Sequence, residues 1–405
     1  MNKQLPPRHR QRRHLFSRIR TIVLSAIIVL LLGAGASAAY VYYTAKGSLS
    51  GSYSAVKNSN KTAITANKPI SVLLMGTDTG AYGRTYKGRT DTMIVVTINP
   101  KTKKTTMVSI PRDTVAKIYS ASGKSEGVQK INAAYTLAGA GGAIKTVEKL
   151  TNVPINYYVT MNMGGLKKIV NAIGGITVKA TFSWTDSATH SSFTKGTHHV
   201  NGTKALAFAR MRDEDPQGDY GRQKRQQQVI TAIIKKVMNT KSVSTYHKLL
   251  SLVSSNMKTD LSFDNMLELA KDDRQAGQTV KKTTLQGTGV YIEESSYQVP
   301  TTKELNRVSK MLRKSLGLSA KTVSNYNTKE NKLNVAAGFD FSDGNNPTYT
   351  LYDSSGSTTT DGTTTTAAGS STTGTTGTTG DTTGGTTGGT TTTGGYGGGG
   401  TQGGY

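Results

Sequence analysis

The chain has 405 residues, a formal charge of +26 and no cysteine. That length allows one large domain or two smaller ones. The absence of thiols excludes disulfides and thiolate metal sites, and the scattered histidines lack the HExxH spacing of a zinc hydrolase.

Seven cations (Lys3, Arg8, Arg10, Arg12, Arg13, Arg18 and Arg20) occupy the first twenty residues with no acid among them. An uncharged run rich in Ile, Val, Leu and Ala follows over Thr21–Tyr43. At a rise of about 1.5 Å per residue it is long enough for a bilayer core of about 30 Å. The cationic flank belongs in the cytoplasm, which puts Lys46 onward outside. Ala36-Ser37-Ala38 offers a rival reading as a cleavage site. The apolar run continues through Val41 and Tyr43, which favours an uncleaved signal anchor. The expected location is the cell membrane, single-pass, with the remainder exported from a Gram-positive-type bacterium. Phosphate polymers of the wall suit a basic exported domain; nucleic acid does not.

Lys46–Lys68, rich in Ser, Thr, Asn, Lys and Gly, reads as a tether within a linker over 44–68. From Pro69 the pattern becomes globular. Ile70–Leu74, Thr92–Ile98 and Thr105–Ile110 read as strands, the last two joined by the turn Asn99–Lys103. Tyr157–Met161, Ile176–Val178 and Ala205–Ala209 read as further strands. Helices are expected over Ala133–Ala138, Gly142–Leu150, Gly164–Ala172, Tyr220–Met238, Tyr246–Met257, Phe263–Asp273 and Lys303–Leu316. Strands mixed with helices indicate an α/β or α+β layered domain, here over 69–318. Ser319–Asp353 is ambiguous. From Ser354 the chain is Thr, Gly and Ser and cannot bury a core, so it reads as a disordered tail, as a spacer or a glycosylated stalk.

The chemistry-bearing residues cluster at expected element ends. Asp78 follows the first strand and Asp91 precedes the second, so two carboxylates are placed to serve one hard cation. The alternative is that each caps its own turn. Arg89 and Asp91 share a face in extended chain. Arg112 and Asp113 end another strand, where an ion pair of Arg112 with Asp113 or another acid is the alternative to ligand contact. Lys130 and Asn132 stand before a helix that Asn132 is placed to cap. Arg210, Arg212, Arg222 and Arg225 crowd beside Gln226 within seventeen residues. Arginine forks grip phosphate bidentately, so this density suggests a polyphosphate ligand rather than a solvated face. Arg222 and Gln226 are helical neighbours, with Val229, Ile230, Ile233 and Val237 further along that face. Two acids among many cations suit phosphoryl transfer, where catalysis is mainly positioning and charge stabilisation. No Walker A sequence is present, which excludes an ordinary P-loop.

The blocks VLLMGTD, GRTDTMIVVTINP, VSIPRDT, KINAAY, IGGI and ALAFARMRDEDPQGDYGRQKRQQ occur in the order found in the LytR–CpsA–Psr family, which Pro69–Leu318 resembles. The anchor and tether match that family's layout; the Thr/Gly tail falls outside it. The resemblance implies an α/β–α core with a central sheet and a long apolar groove for a polyprenyl chain. It implies transfer of a phosphate-linked glycopolymer from polyprenyl diphosphate to the C6 hydroxyl of N-acetylmuramic acid in peptidoglycan. By motif, Asp78 and Asp91 would hold Mg²⁺ (or Mn²⁺). Arg89, Arg112, Arg210, Arg212 and Arg222 would grip the diphosphate, with Gln226, Lys130, Arg225 and Asn132 adjoining. A lipid-diphosphate hydrolase and a non-enzymatic wall-polymer-binding protein remain as other classes.

Overall fold

The computed structural model describes residues 42–44, 46–47, 50–56, 68–77, 88–239, 256–272, 279–342, 348–352, 359–360 and 363–364. Three apolar runs, β1 (Ile70–Thr77), β2 (Thr90–Asn99) and β3 (Lys104–Ser109), form an antiparallel meander. β4 (Val115–Tyr119) and β5 (Ser125–Lys130) make a separate hairpin, and β6 (Tyr157–Asn162) joins β1 in parallel. β7 (Ile176–Ala180), β8 (Trp184–Asp186), β9 (Ser191–Phe193) and β10 (Gly196–Val200) form two small ladders away from the main sheet. β11 (Met257–Thr259) pairs antiparallel with β6, and β12 (Thr279–Thr284) pairs parallel with β3. The six-stranded mixed sheet therefore runs β11-β6-β1-β2-β3-β12. A last hairpin joins β13 (Thr288–Ile292) to β14 (Ser295–Val299).

Seven helices of eight or more residues stand among the described residues: α1 (Ala133–Thr151), α2 (Met163–Ala172), α3 (Gly202–Arg210), α4 (Gly218–Asn239), α5 (Phe263–Asp272), α6 (Thr302–Ser315) and α7 (Tyr326–Ala336). β2 is buried on both faces, so its run reads as continuous rather than alternating apolar sequence. Met93 and Val95 face α1 and α6, where they meet Val147, Leu305 and Leu312. Ile94 and Val96 face the other way, onto Ile230 and Ile234 of α4. The result is a mixed α/β domain with helices on both faces of a central sheet. α6 shows the expected stripe of Leu305, Val308 and Leu312, and Thr301 caps it by accepting from Glu304 N at 3.1 Å.

Several expectations change. Ala133–Ala138 and Gly142–Leu150 belong to one helix, interrupted where Gly139 takes φ 67° and ψ −167°. Ala205–Ala209 is helix, not strand: it lies inside α3, which Asn201 caps by accepting from Lys204 N at 3.0 Å. Those five residues are all buried, so they show no helical period to read. α3 lies so close to α2 that a Cβ on Gly202 would fall 2.1 Å from Lys167 O. The helix expected over Tyr246–Met257 lies mostly outside the described residues, and Met257 starts β11 instead.

The tether is partly docked. Ser54 N donates to Thr259 O at 2.7 Å, and Tyr158 Oη donates to Ser54 O at 2.9 Å. The open edge of β11 presents unpaired backbone groups, which this segment takes up. The folded unit also continues past Leu318. Asn327 Nδ2 donates to Val115 O at 2.7 Å, and Tyr349, 1% exposed, donates through Oη to Asn331 Oδ1 at 2.8 Å. Most of the expected anchor and nearly all of the Thr/Gly tail lie outside the described residues. Among the described residues no helix is long and apolar enough to cross a membrane.

Candidate functional site

A cavity of about 420 Å³ opens between the sheet and helices α2, α3 and α4. Leu74, Val159, Met161, Leu166, Val229 and Ile233 line its apolar part. Asp91, Arg210, Arg222 and Gln226 converge on its polar part, beside Thr77 and Thr92. The sequence placed Arg222 and Gln226 on one helical face, and both do line the cavity. The later apolar turns of α4 divide their work: Ile230 and Ile234 pack on the sheet while also lining the cavity. Gln227 holds α4 to the sheet by donating to Ser109 Oγ at 2.8 Å and Thr283 O at 2.7 Å.

Behind this wall runs a chain of ion pairs. Arg112 Nη1 donates to Asp91 Oδ1 at 2.8 Å, and its Nε lies 3.4 Å from Asp113 Oδ2. Lys130 Nζ lies 3.4 Å from Asp113 Oδ1 and 5.3 Å from the centroid of the Tyr297 ring. The pairing that the sequence offered for Arg112 and Asp113 is therefore present, and Asp91 joins it. Burial works against the Arg112 charge, but pairing with Asp91 and Asp113 outweighs it and holds the guanidinium above its ordinary range.

Arg222 differs. It is 8% exposed and pairs with Asp219, and its Nε, like that of Arg112, is buried without a hydrogen bond. Burial pushes its pKa down; Asp219 opposes this and the nearby Arg112 cation adds to it. A buried cation with spare donors, beside a second cation and at the end of a cavity, is suited to an anion.

The remaining candidates separate by geometry. Asn132 is 5% exposed and precedes α1, but it makes no side-chain cap hydrogen bond, and its Oδ1 is buried without a partner. Its backbone instead ties two site segments together: Thr90 N donates to Asn132 O at 3.3 Å, and Asn132 N donates to Arg112 O at 3.3 Å. Arg89 is exposed beside these segments. Arg212 is half-exposed and donates through Nε to Asp213 Oδ1 at 2.8 Å. Because α3 is a helix, Arg210 and Arg212 do not share a strand face; Arg210 lines the cavity and Arg212 lies beyond it.

Arg225 does not line the cavity. It is 7% exposed, donates through Nε to Phe208 O at 3.0 Å, and also binds Met211 O and Asp215. Its guanidinium sits 5.7 Å from the Trp184 ring centroid, and that ring stacks on Phe193. Asp78 lies outside the described residues. Residues that sequence reasoning missed are Asp219, the counter-ion of Arg222, and Tyr220. Asp219 was legible only as an acid one helical turn before an arginine.

The chain has relatives of known sequence and structure. A polyisoprenyl-teichoic acid–peptidoglycan teichoic acid transferase TagU of Enterococcus faecalis is 45% identical over 301 residues, covering 74% of this chain and 97% of that protein. Biofilm regulatory protein A of Streptococcus mutans is 39% identical over 351 residues, 84% of each chain. A solved structure of TagT bound to LIIa-WTA is 27% identical with a TM-score of 0.54, covering 65% of this chain and 97% of that one. The LytR_cpsA_psr family model matches residues 39–314, and the chain belongs to that family.

Proposed function

We propose that this chain transfers a phosphate-linked anionic glycopolymer from polyprenyl diphosphate to the C6 hydroxyl of N-acetylmuramic acid in peptidoglycan. The polymer would be a teichoic acid, a capsular polysaccharide or another wall polysaccharide. The observation that carries this reading is one cavity with two chemistries. Its apolar walls suit a lipid tail, and its end, built from Asp91, Arg210, Arg222 and Gln226, suits a diphosphate. The names of the E. faecalis relative and of the TagT complex point the same way.

In this reading the buried Arg222, with Arg210 and Gln226, holds the diphosphate at the cavity end. Arg112, oriented by Asp91 and Asp113, adds positive charge behind it. The muramic hydroxyl oxygen attacks the phosphorus that bears the glycan. A new O–P bond forms, the P–O bond to polyprenyl phosphate breaks, and the hydroxyl proton is lost. Arg210, which lines the cavity, would stabilise charge on the leaving phosphate. The products are a phosphodiester-linked glycan on peptidoglycan and polyprenyl phosphate.

Mg²⁺ or Mn²⁺ fits the donor chemistry. Asp91 lines the cavity and is one-third exposed or less, with Oδ1 taken by Arg112, so a hard carboxylate oxygen remains for a cation that keeps several waters. Asp78 would be its second protein ligand. Among the described residues no larger cluster of His, Asp or Glu forms a metal cage. Bound there, such an ion would supply neutralisation of phosphate charge. The membrane anchor over Thr21–Tyr43 would keep the domain beside its lipid-linked donor.

The test uses the full chain in detergent micelles with Mg²⁺, a synthetic polyprenyl-diphosphate glycan and uncross-linked peptidoglycan, with products identified by mass. Phosphodiester-linked glycan on peptidoglycan, lost in Asp91→Ala, is the expected result. Free glycan phosphate alone would replace the transferase with a hydrolase. Absence of turnover with several donors would leave a binding protein.

A further inference from the structure

Gln298 sits where two cation-bearing parts of the site meet. Its backbone N–H donates to Asp113 O at 2.9 Å, and Thr114 forms a β-bridge with it. Its side-chain Oε1 accepts from Tyr220 Oη at 3.0 Å. Asp113 follows Arg112 directly, and Tyr220 stands two residues before Arg222 at the start of α4. One side chain and its backbone thus span from the strand end that carries Arg112 to the helix that carries Arg222.

The far end of this span is tightly held. The Tyr220 phenol accepts from Gly287 N at 2.8 Å and shares its proton between Gln298 Oε1 and Gly287 O, the latter at 3.2 Å. Burial, only partly opposed by the Gly287 hydrogen bond, raises the phenol above its ordinary range, so it stays a donor. Gly287 leaves little room: a Cβ there would lie 3.2 Å from both Cβ and Oε1 of Gln298. The β13–β14 hairpin is also supported from behind. Tyr349 N donates to Tyr291 O at 3.3 Å, and Asn331 Nδ2 donates to Pro300 O at 3.0 Å. Both supports come from residues beyond the 39–314 match.

We propose that Gln298 and Tyr220 are positioning residues that fix the separation of Arg112 and Arg222 for one diphosphate. This rests on the reading that Arg222 holds the diphosphate at the cavity end while Arg112 adds positive charge behind it. Neither Gln298 nor Tyr220 lines the cavity, so each acts through the arginines. Forked contacts tolerate little misplacement, and a small shift of α4 against the Arg112 strand end would disengage one fork.

The test measures binding of farnesyl diphosphate and of farnesol to the full chain in detergent micelles. Farnesol offers the apolar part alone, so the ratio of the two affinities isolates the diphosphate contacts and is not moved by a general loosening of the cavity. Gln298→Leu is expected to lower that ratio about tenfold, the scale of one hydrogen-bond contribution, and to leave farnesol binding unchanged. Tyr220→Phe, which deletes one oxygen, keeps the test decisive if Gln298→Leu folds poorly, and it should produce the same fall. The double variant should be no worse than Tyr220→Phe alone, because that variant has already broken the contact that Gln298→Leu removes. Diphosphate preference in the wild type that disappears in Arg222→Ala but survives Gln298→Leu and Tyr220→Phe would overturn the brace alone. No preference for the diphosphate in the wild type would remove the diphosphate reading and the brace with it.

Discussion

Arg222 and Arg225 lie three residues apart on α4 and are equally buried, at 8% and 7% exposure, yet their surroundings do opposite things. Around Arg225 the protein takes up the fork. Phe208 O, Met211 O and Asp215 receive its donors, and Trp184 lies against its face. That region is a lock that holds the 211–217 loop over α4. Around Arg222 the protein supplies one carboxylate and leaves Nε without a partner. Saturated donors suit an arginine to building the fold; an unsaturated donor beside a cavity suits one to an anionic ligand.

The comparison breaks most visibly at Arg225. Arg225→Ala strands Asp215, whose side chain is 5% exposed, and should cost about 3–5 kcal/mol of stability. A thermal melt reads this directly, and a variant that melts with the wild type would show that the lock carries no load. Arg222→Ala should behave in reverse. Asp219 keeps Gln223 Nε2 at 2.6 Å, so stability should change little, whereas farnesyl diphosphate should bind about 10- to 100-fold more weakly. Calorimetric titration checks this; undiminished affinity would mean that Arg222 is structural after all.

Gly221→Ala sharpens the same contrast without removing a charge. A Cβ there would lie 1.8 Å from Asp215 Oδ2, so the loop must shift and stability should fall by about 1–3 kcal/mol. Its effect on turnover should be smaller than that of Arg222→Ala, which parallel melts and assays would establish. The smallest effect concerns the C-terminal segment. Burial, with the Glu330 charge adding to it, raises both Tyr326 and Tyr349 above the usual phenol value of 10.0. The unfolded chain then loses these protons first, so their contribution is intact below pH 10 and declines as pH rises above it. Denaturant titrations at rising alkaline pH should show this decline, and Tyr349→Phe should reduce it.

Much of this architecture was readable from local pattern. β1, β2 and β3 follow from apolar runs bounded by turns, and α6 from an apolar stripe with a Thr cap. The arginine-rich run identified the right segment but not the right partition of its members. Ala205–Ala209 misled because a fully buried helix has no polar face to reveal its period. The β13–β14 hairpin passed unseen because its two turn residues, Glu293 and Glu294, carry positive φ without being Gly or Asn. The segment past Leu318 looked indefinite because α7 is buried through polar residues, Asn327, Glu330, Asn331 and Asn334. Hydropathy does not register such a helix.

What the sequence determined by itself is the β1–β3 meander and the apolar-striped helices, the family, and which residue types could meet a phosphate. Those follow from periodicity and motif order, which are local properties of the chain. The tertiary structure alone decided which cations are saturated, which acid faces each one, and that Gln298 spans two of the segments carrying them. Hydrogen-bond satisfaction depends on partners brought from distant positions, as Arg225 with Phe208 and Asp113 with Gln298 show. One guanidinium is therefore taken up by the fold, and its neighbour three residues earlier keeps a buried Nε without a hydrogen bond beside the cavity.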